Sequence, residues 1–258
     1  MNTGLKPGLT MHRERAMQAA HNNAVWCDTV CRAHGKPGEF RQGIWLNWQT
    51  TPPFYPNAVT LGGPGESATQ LEYVRELLEA QIPSAWAVKD SFCALDLSAL
   101  GFELLFEAAW LYKEASPLDP DLRYAGQRLV KISSVTDLTL WERAWSGDSA
   151  EPEGEQGRIF PPALLADENV AFIAVYENQS IVAGAIGNRT GEVVGISNIF
   201  LPAHEAEQFR VCCVAGVMAS FPGLPLVGYE AGDDLVAMQA LGFEEVRPLR
   251  VWGTKQTP

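Results

Sequence analysis

The chain has 258 residues, 47% of them hydrophobic and 19% charged, and 31 acids against 19 bases leave a net charge of −12. That is the composition of a globule with room for one large domain or two small ones, and it excludes a disordered chain or a coiled coil. A surface of this sign without a Lys/Arg cluster disfavours DNA, RNA and anionic membranes as partners.

No stretch approaches the roughly 18 uninterrupted apolar residues of a membrane helix, and the N-terminus lacks the apolar core of a signal peptide. The expected location is cytoplasmic. The five cysteines, Cys27, Cys31, Cys93, Cys212 and Cys213, are odd in number and fit reduced thiols better than a disulfide framework. Oligomeric state is left open, a homo-oligomer included.

In chain order, residues 22–34 (NNAVWCDTVCRAH) read as a helix. Cys27 and Cys31 stand i, i+4 on one face, with His34 a turn on and His21 before them, which is ligand spacing. Four ligands from one short helix do not easily close a tetrahedron, so packing is the preferred reading and no metal is expected. Trp45 and Trp48 alternate with polar residues as on a strand face, and the run Pro52-Pro53-Phe54-Tyr55-Pro56 could wall a ligand or pack one domain on another. A strand over 58–61 leads into Gly62-Gly63-Pro64-Gly65-Glu66-Ser67. This loop has the flexibility a phosphate needs. It carries no Lys or Arg, and Pro64 removes a donor, so a turn with Ser67 as helix N-cap is expected. Leu71, Val74, Leu77 and Leu78 then make one helical face, followed by Pro83 and an apolar run at 85–88.

Ser116-Pro117-Leu118-Asp119-Pro120 suggests a boundary near residue 120. Beyond it, 128–132 reads as a strand, 138–144 as a helix and the acidic, breaker-rich 147–157 as a solvated loop. Residues 170–176 and 180–186 are strands joined by Glu177-Asn178-Gln179. A second turn over 188–192 leads to the β-branched run at 193–200, giving an antiparallel meander. A helix over 206–220 and a strand at 226–229 follow. Cys212 and Cys213 lie inside that apolar helix, where a thiol is inert rather than nucleophilic.

The most informative feature is an internal repeat. Ala99-Leu100-Gly101-Phe102-Glu103 recurs as Ala240-Leu241-Gly242-Phe243-Glu244, 141 residues later. Each copy follows a helix, a proline and a short apolar run, and each precedes a β-rich run ending in tryptophan, 103–110 and 244–252. The order strand, helix, strand, short helix, Gly-Phe, strand therefore occurs twice.

The second half, strand, helix, three-strand meander, helix, strand, helix, strand, resembles the GNAT acyltransferase superfamily. The stretch Phe221-Pro222-Gly223-Leu224-Pro225-Leu226-Val227-Gly228-Tyr229-Glu230, with Leu241-Gly242-Phe243 and Leu249-Arg250-Val251-Trp252, carries the likeness. The first half looks like an abbreviated copy. The fold class so implied is α/β (α+β), two GNAT-like domains, each a mixed, mostly antiparallel sheet flanked by helices. The division is an abbreviated domain at 1–120 and a fuller one at 121–258.

The resemblance implies that coenzyme A's diphosphate meets a glycine-rich loop ahead of the long helix. Here that loop, Leu201-Pro202-Ala203-His204-Glu205-Ala206-Glu207-Gln208, has no glycine and two carboxylates. It also implies a tyrosine acid four residues before Gly-Phe, where Met238 and Leu97 stand instead. What it leaves is a cleft between parting strands, with Glu230 as candidate base, Asn198 and Tyr229 as substrate-binding residues, and backbone amides of Ile199, Phe200 and Leu201 toward acetyl-CoA or CoA. The alternative role of Glu230 is to cap the helix begun near Asp233. Lys89 and Asp90 match Tyr229 and Glu230 in the first half. Two functions follow: acetyl transfer from acetyl-CoA to a small amine or amino-acid-like acceptor, or a catalytically degenerate module that binds a small ligand or a partner.

Overall fold

The computed structural model describes residues 7–117, 127–147 and 157–254. The boundary near residue 120, and all but the ends of the loop at 147–157, lie outside the described residues.

Helix α1 (Pro7–Ala33) begins well before the predicted residue 22. Its buried stripe is Ala16, Ala19, Ala20, Ala24, Cys27 and Cys31, small residues at three- and four-residue steps that let the helix lie close on a sheet. Gly35 ends it in the left-handed region at φ +70°, donating its N–H to the Arg32 carbonyl at 2.8 Å. The first half continues with β1 (Glu39–Arg41), β2 (Ile44–Leu46), β3 (Ala58–Thr60), α2 (Ser67–Glu79), β4 (Ala87–Asp90) and β5 (Phe102–Lys113). The second half runs β6 (Gln127–Lys131), α3 (Val135–Ser146), β7 (Val170–Glu177), β8 (Ser180–Thr190), β9 (Val193–Phe200), α4 (Ala206–Ser220), β10 (Leu226–Glu230), α5 (Gly232–Ala240) and β11 (Glu244–Thr254).

Several local expectations are corrected. The turn predicted over 188–192 shrinks to Gly191-Glu192, because β8 runs on to Thr190 and Gly191 takes the positive φ of +57°. Ser67 is not an N-cap: α2 begins on it after a 3-10 turn, and its hydroxyl donates to the Pro64 carbonyl at 2.8 Å. Strand β2 stops at Leu46, so Trp45 and Trp48 do not share a strand face; Trp45 lies under α1, and Trp48 packs toward α2.

The described strands form one sheet in the order β1-β2-β3-β4-β11-β5-β10-β9-β8-β7-β6. Helices α1 and α3 cover one face. On the other, α2 covers the first half and α4 with α5 the second. Strand β2 shows the alternation, Ile44 and Leu46 facing α2 while Trp45 faces α1. Between α4 and the sheet, Leu111, Val194 and Val217 are fully buried, each worth on the order of 1.5–3 kcal/mol of apolar burial.

The two pentapeptides have the same backbone. Leu100, Gly101 and Phe102 donate to the carbonyls of Leu97, Ser98 and Leu97, and Leu241, Gly242 and Phe243 donate to those of Met238, Gln239 and Met238. Gly101 and Gly242 have φ of +85° and +84°, a conformation that glycine adopts without steric cost. Both phenylalanines are buried.

The last strand of each half crosses to the other. Strand β5 pairs antiparallel with β10 from Leu226↔Lys113 to Glu230↔Ala109, and β11 pairs antiparallel with β4 from Arg250↔Asp90 to Gly253↔Ala87. The exchanged strands also pair with each other, from Glu244↔Tyr112 to Thr254↔Phe102.

Candidate functional site

The site arises where β9 and β10 part. They pair in parallel at Leu226↔Val194 and Val227↔Gly195 only, although β9 continues to Phe200 and β10 to Glu230. Strand β10 is held on its other side by β5 as far as Glu230, so β9 peels away. A bulge on β9 assists. Between the pairs Ile186↔Ser197 and Gly184↔Phe200 it carries one extra residue, and Asn198 sits there at φ +52°. A left-handed asparagine is tolerated because its short amide can bond locally; here Oδ1 accepts from the Ser197 hydroxyl at 3.0 Å.

The gap is a cavity of about 230 Å³. Strand β9 contributes Ser197, Asn198 and Ile199, strand β10 Tyr229 and Glu230, and helix α1 Asn22, Asn23 and Trp26. The loop Phe54–Pro56 and Lys89 of β4 close it. Of the residues named from the sequence, Asn198, Tyr229, Glu230 and Ile199 therefore come together. Phe200 and Leu201 are not in the wall: Phe200 packs edge-on against Trp141 at 5.2 Å, and Leu201 packs into the α4 core.

Burial pushes the Glu230 carboxyl up to about 7; the Asp234 carboxylate adds to the rise and Arg210 opposes it. Arg210 is itself paired with Asp234 at 2.5 Å, which weakens its pull on Glu230. The helix-cap role for Glu230 does not hold. Ala231 is the N-cap of α5, and no side chain caps it. The Glu230 carboxylate accepts no hydrogen bond among the described residues, whereas its counterpart Asp90 accepts from Ala94 N at 3.0 Å and Leu95 N at 2.9 Å. Asp90 anchors a turn, and Glu230 is left facing the cavity.

Helix α1 is fixed over the site by paired amides. Asn22 Nδ2 donates to the Asn188 carbonyl at 2.9 Å, and Asn188 Nδ2 donates to Asn22 Oδ1 at 3.2 Å. Tyr229 is held edge-on by Trp110 at 5.6 Å, and the Lys89 ammonium lies 4.0 Å from the centre of the Tyr229 ring. Asn22, Asn23 and Lys89 were not singled out from the sequence as site residues, whereas Phe54, Tyr55 and Pro56 belong to the run read there as a possible ligand wall. The alanine stripe of α1 is the signal that would have placed the asparagines, since it carries the helix back across the sheet.

The other candidates resolve as packing. Burial pushes the thiols of Cys27 and Cys31 up to about 11 and about 12. His34 Nε2 lies 3.0 Å from the Ile159 carbonyl. Among the described residues no group of three or more His, Cys, Asp or Glu is placed to hold a metal ion. Cys213 is buried, and burial raises its thiol well above the ordinary value. In the first-half glycine loop, the Glu66 carboxylate sits against Gly62 and Gly43, where an anion would meet like charge. No described helix is long and apolar enough to cross a membrane.

No protein-family model matches the chain, and no curated protein resembles it in sequence. Among solved structures it is similar to a GCN5-related N-acetyltransferase from Kribbella flavida, with TM-score 0.56 and 12% identity over 93% of this chain and 96% of that one. A GNAT-family protein from Novosphingobium aromaticivorans aligns with TM-score 0.53 and 14% identity, over 92% of this chain and 99% of that one. An N-acetyltransferase-like protein from Streptococcus suis aligns with TM-score 0.50 and 13% identity over 94% and 98%. Likenesses at 12–14% identity speak to architecture, and on that ground the chain has the fold of the GNAT acetyltransferases across most of its length.

Proposed function

We propose that the protein is an acyl-CoA-dependent N-acyltransferase that moves an acetyl group to a small amine or amino-acid-like acceptor in the cavity between α1 and the parted strands. One observation carries this reading: a carboxyl poised at about 7, Glu230, lines the same cavity as the unpaired edge of β9. A base with that affinity for protons takes one from an ammonium near neutral pH and yields the free amine needed for attack.

The fit to coenzyme A differs along its length. Beside Ser197–Phe200 the β9 backbone has, among the described residues, no strand partner on the β10 side, which suits an extended acyl arm that pairs with it. At the start of α4 the residues fit a diphosphate poorly: Glu205 occupies the N-cap and Glu207 the first turn. When bound, acetyl-CoA would supply the acyl thioester. The amide of Ile199, and those of Phe200 and Leu201 beyond the cavity wall, are the candidate contacts on this chain, and Asn198 re-aims the strand.

The acidic, glycine-free start of α4 favours a second reading, a module that binds the small ligand without transferring anything. Calorimetric titration with acetyl-CoA separates the two. Binding below millimolar concentration, with a rate that drops about 10²-fold or more in Glu230→Gln, is expected of the enzyme. Absence of binding at millimolar acetyl-CoA removes the enzyme reading, and an unchanged rate in Glu230→Gln removes Glu230 from it.

A further inference from the structure

Lys89 is 4% exposed, and among the described residues no carboxylate lies within salt-bridge distance of its ammonium. Nζ donates to Asn23 Oδ1 at 2.8 Å and faces the Tyr229 ring at 4.0 Å. An ammonium has three N–H donors; with one given to Asn23 and one facing the ring, among the described residues one remains without an acceptor. Both partners, Asn23 and Tyr229, line the 230 Å³ cavity. A buried cation left without a counter-charge is unfavourable unless something else supplies that charge.

A second orphan stands in the same wall. The Tyr55 hydroxyl is buried and, among the described residues, has no hydrogen-bond acceptor; the Trp26 indole beside it can only donate, and Tyr55 lines the cavity. A buried phenol ordinarily finds a partner. One donor from Lys89 and one from Tyr55 match the two oxygens of a carboxylate. A single cation with Glu230 in the same wall suits a monoanion and disfavours a phosphate dianion.

Tyr55, Lys89 and Tyr229 also line a larger adjoining cavity of about 800 Å³, whose wall includes Pro52, Phe54, Trp86, Leu105 and Phe106. Phe54, Leu105 and Phe106 are exposed there, 83%, 57% and 43%. Polar orphans at one end and uncovered aromatic and aliphatic side chains at the other describe an amphiphile.

We infer that the cleft takes a monocarboxylate with an apolar body, its carboxylate held by Lys89 and Tyr55 and its body lying in the larger cavity. This rests on the proposed function for the cleft's being an acceptor site, and it narrows the acceptor to apolar amino acids and their like. Lys89 is a specificity residue, contributed by the first half to a cavity whose base comes from the second.

The test is calorimetric titration, without any coenzyme A, of 3-phenylpropanoate and of its neutral isostere 3-phenylpropanamide. The carboxylate should bind about tenfold more tightly than the amide. Lys89→Met, which keeps the apolar stem, should abolish that preference. Tyr55→Phe, which retains the ring and serves if Lys89→Met does not fold, should reduce the preference about threefold or more. Equal affinity for the two probes, no binding of either, or a preference that survives both substitutions would overturn the inference. Because acetyl-CoA is absent throughout, carboxylate binding in a protein that ignores acetyl-CoA sinks acyl transfer alone, and the converse sinks only the carboxylate site.

Discussion

The Lys89 ammonium rests 4.0 Å from the centre of the Tyr229 ring, although β11 and β5 lie between the strands that carry them. The two residues occupy matching places in the repeated halves. One supplies a cation and the other a π face, and repetition of the backbone has thus brought unlike chemistry to a single cavity.

In the proposed role of base, Glu230 would tie activity and stability to the same titration. A base acts ionised, so under that proposal the rate should rise with pH through about 7 and flatten above it. Its folded value lies above the unfolded one, so between about pH 4.5 and about pH 7 the folded chain binds a proton that the unfolded chain releases. Stability from this group is full below that window and lost above it. Glu230→Gln is insensitive, and at pH 8 it should be more stable than the parent by about 2–3 kcal/mol, less whatever water recovers at this half-buried site, with equal stability near pH 4. Urea melts at the two pH values measure it; a constant difference refutes the shift.

Gly195 lies where α1 approaches β9. A Cβ there would strike the side-chain oxygens of both Asn22 and Asn188. Gly195→Ala should therefore cost about 1–3 kcal/mol by overpacking, and more if the amide pair breaks. Thermal melts of this variant beside Gly191→Ala, where nothing stands within 4 Å but φ is +57°, separate steric collision from backbone strain.

At the start of α4, Glu205 has φ of +51°, a region that side chains other than glycine, Asn and Asp seldom enter. Glu205→Gly relieves the strain and removes a carboxylate from the place a diphosphate would need. A gain in stability of about 0.5–1 kcal/mol is expected. If acetyl-CoA is a ligand, its affinity should rise severalfold in the same variant, as read by calorimetry; affinity that falls would place the diphosphate elsewhere.

Unfolding should be a single transition. Far-UV circular dichroism and tryptophan fluorescence are expected to coincide in urea, because Trp86, Trp110 and Trp252 are buried in clusters that include the exchanged strands, and Trp45 and Trp141 are buried on the same continuous sheet. Two resolved transitions would show that the halves melt separately.

Strands and helices with strong periodicity were legible from the chain alone. The run at 193–200 is β9 as printed in the sequence, and the pentapeptide repeat announced twin turns with matching glycine conformations. The parting of β9 and β10, and Glu230 beside it, came from the family likeness. Strand exchange was not legible, since pairing partners are set by which edges are free in three dimensions and not by local pattern. Lys89 escaped for the same reason. As a residue it was only a mismatch with Tyr229, and its lack of a counter-charge exists only once α1 and β10 have closed around it.

The lacing of β5 and β11 has a kinetic corollary. Halves joined by swapped central strands cannot swing apart like the lobes of a clam without breaking the β5–β10, β4–β11 and β5–β11 ladders. Admission of a guest must depend on the rim, where Phe54 projects into solvent from a left-handed backbone at φ +71° and stacks edge-on with Trp145. Entry into such a vessel would be timed by a door rather than by the walls.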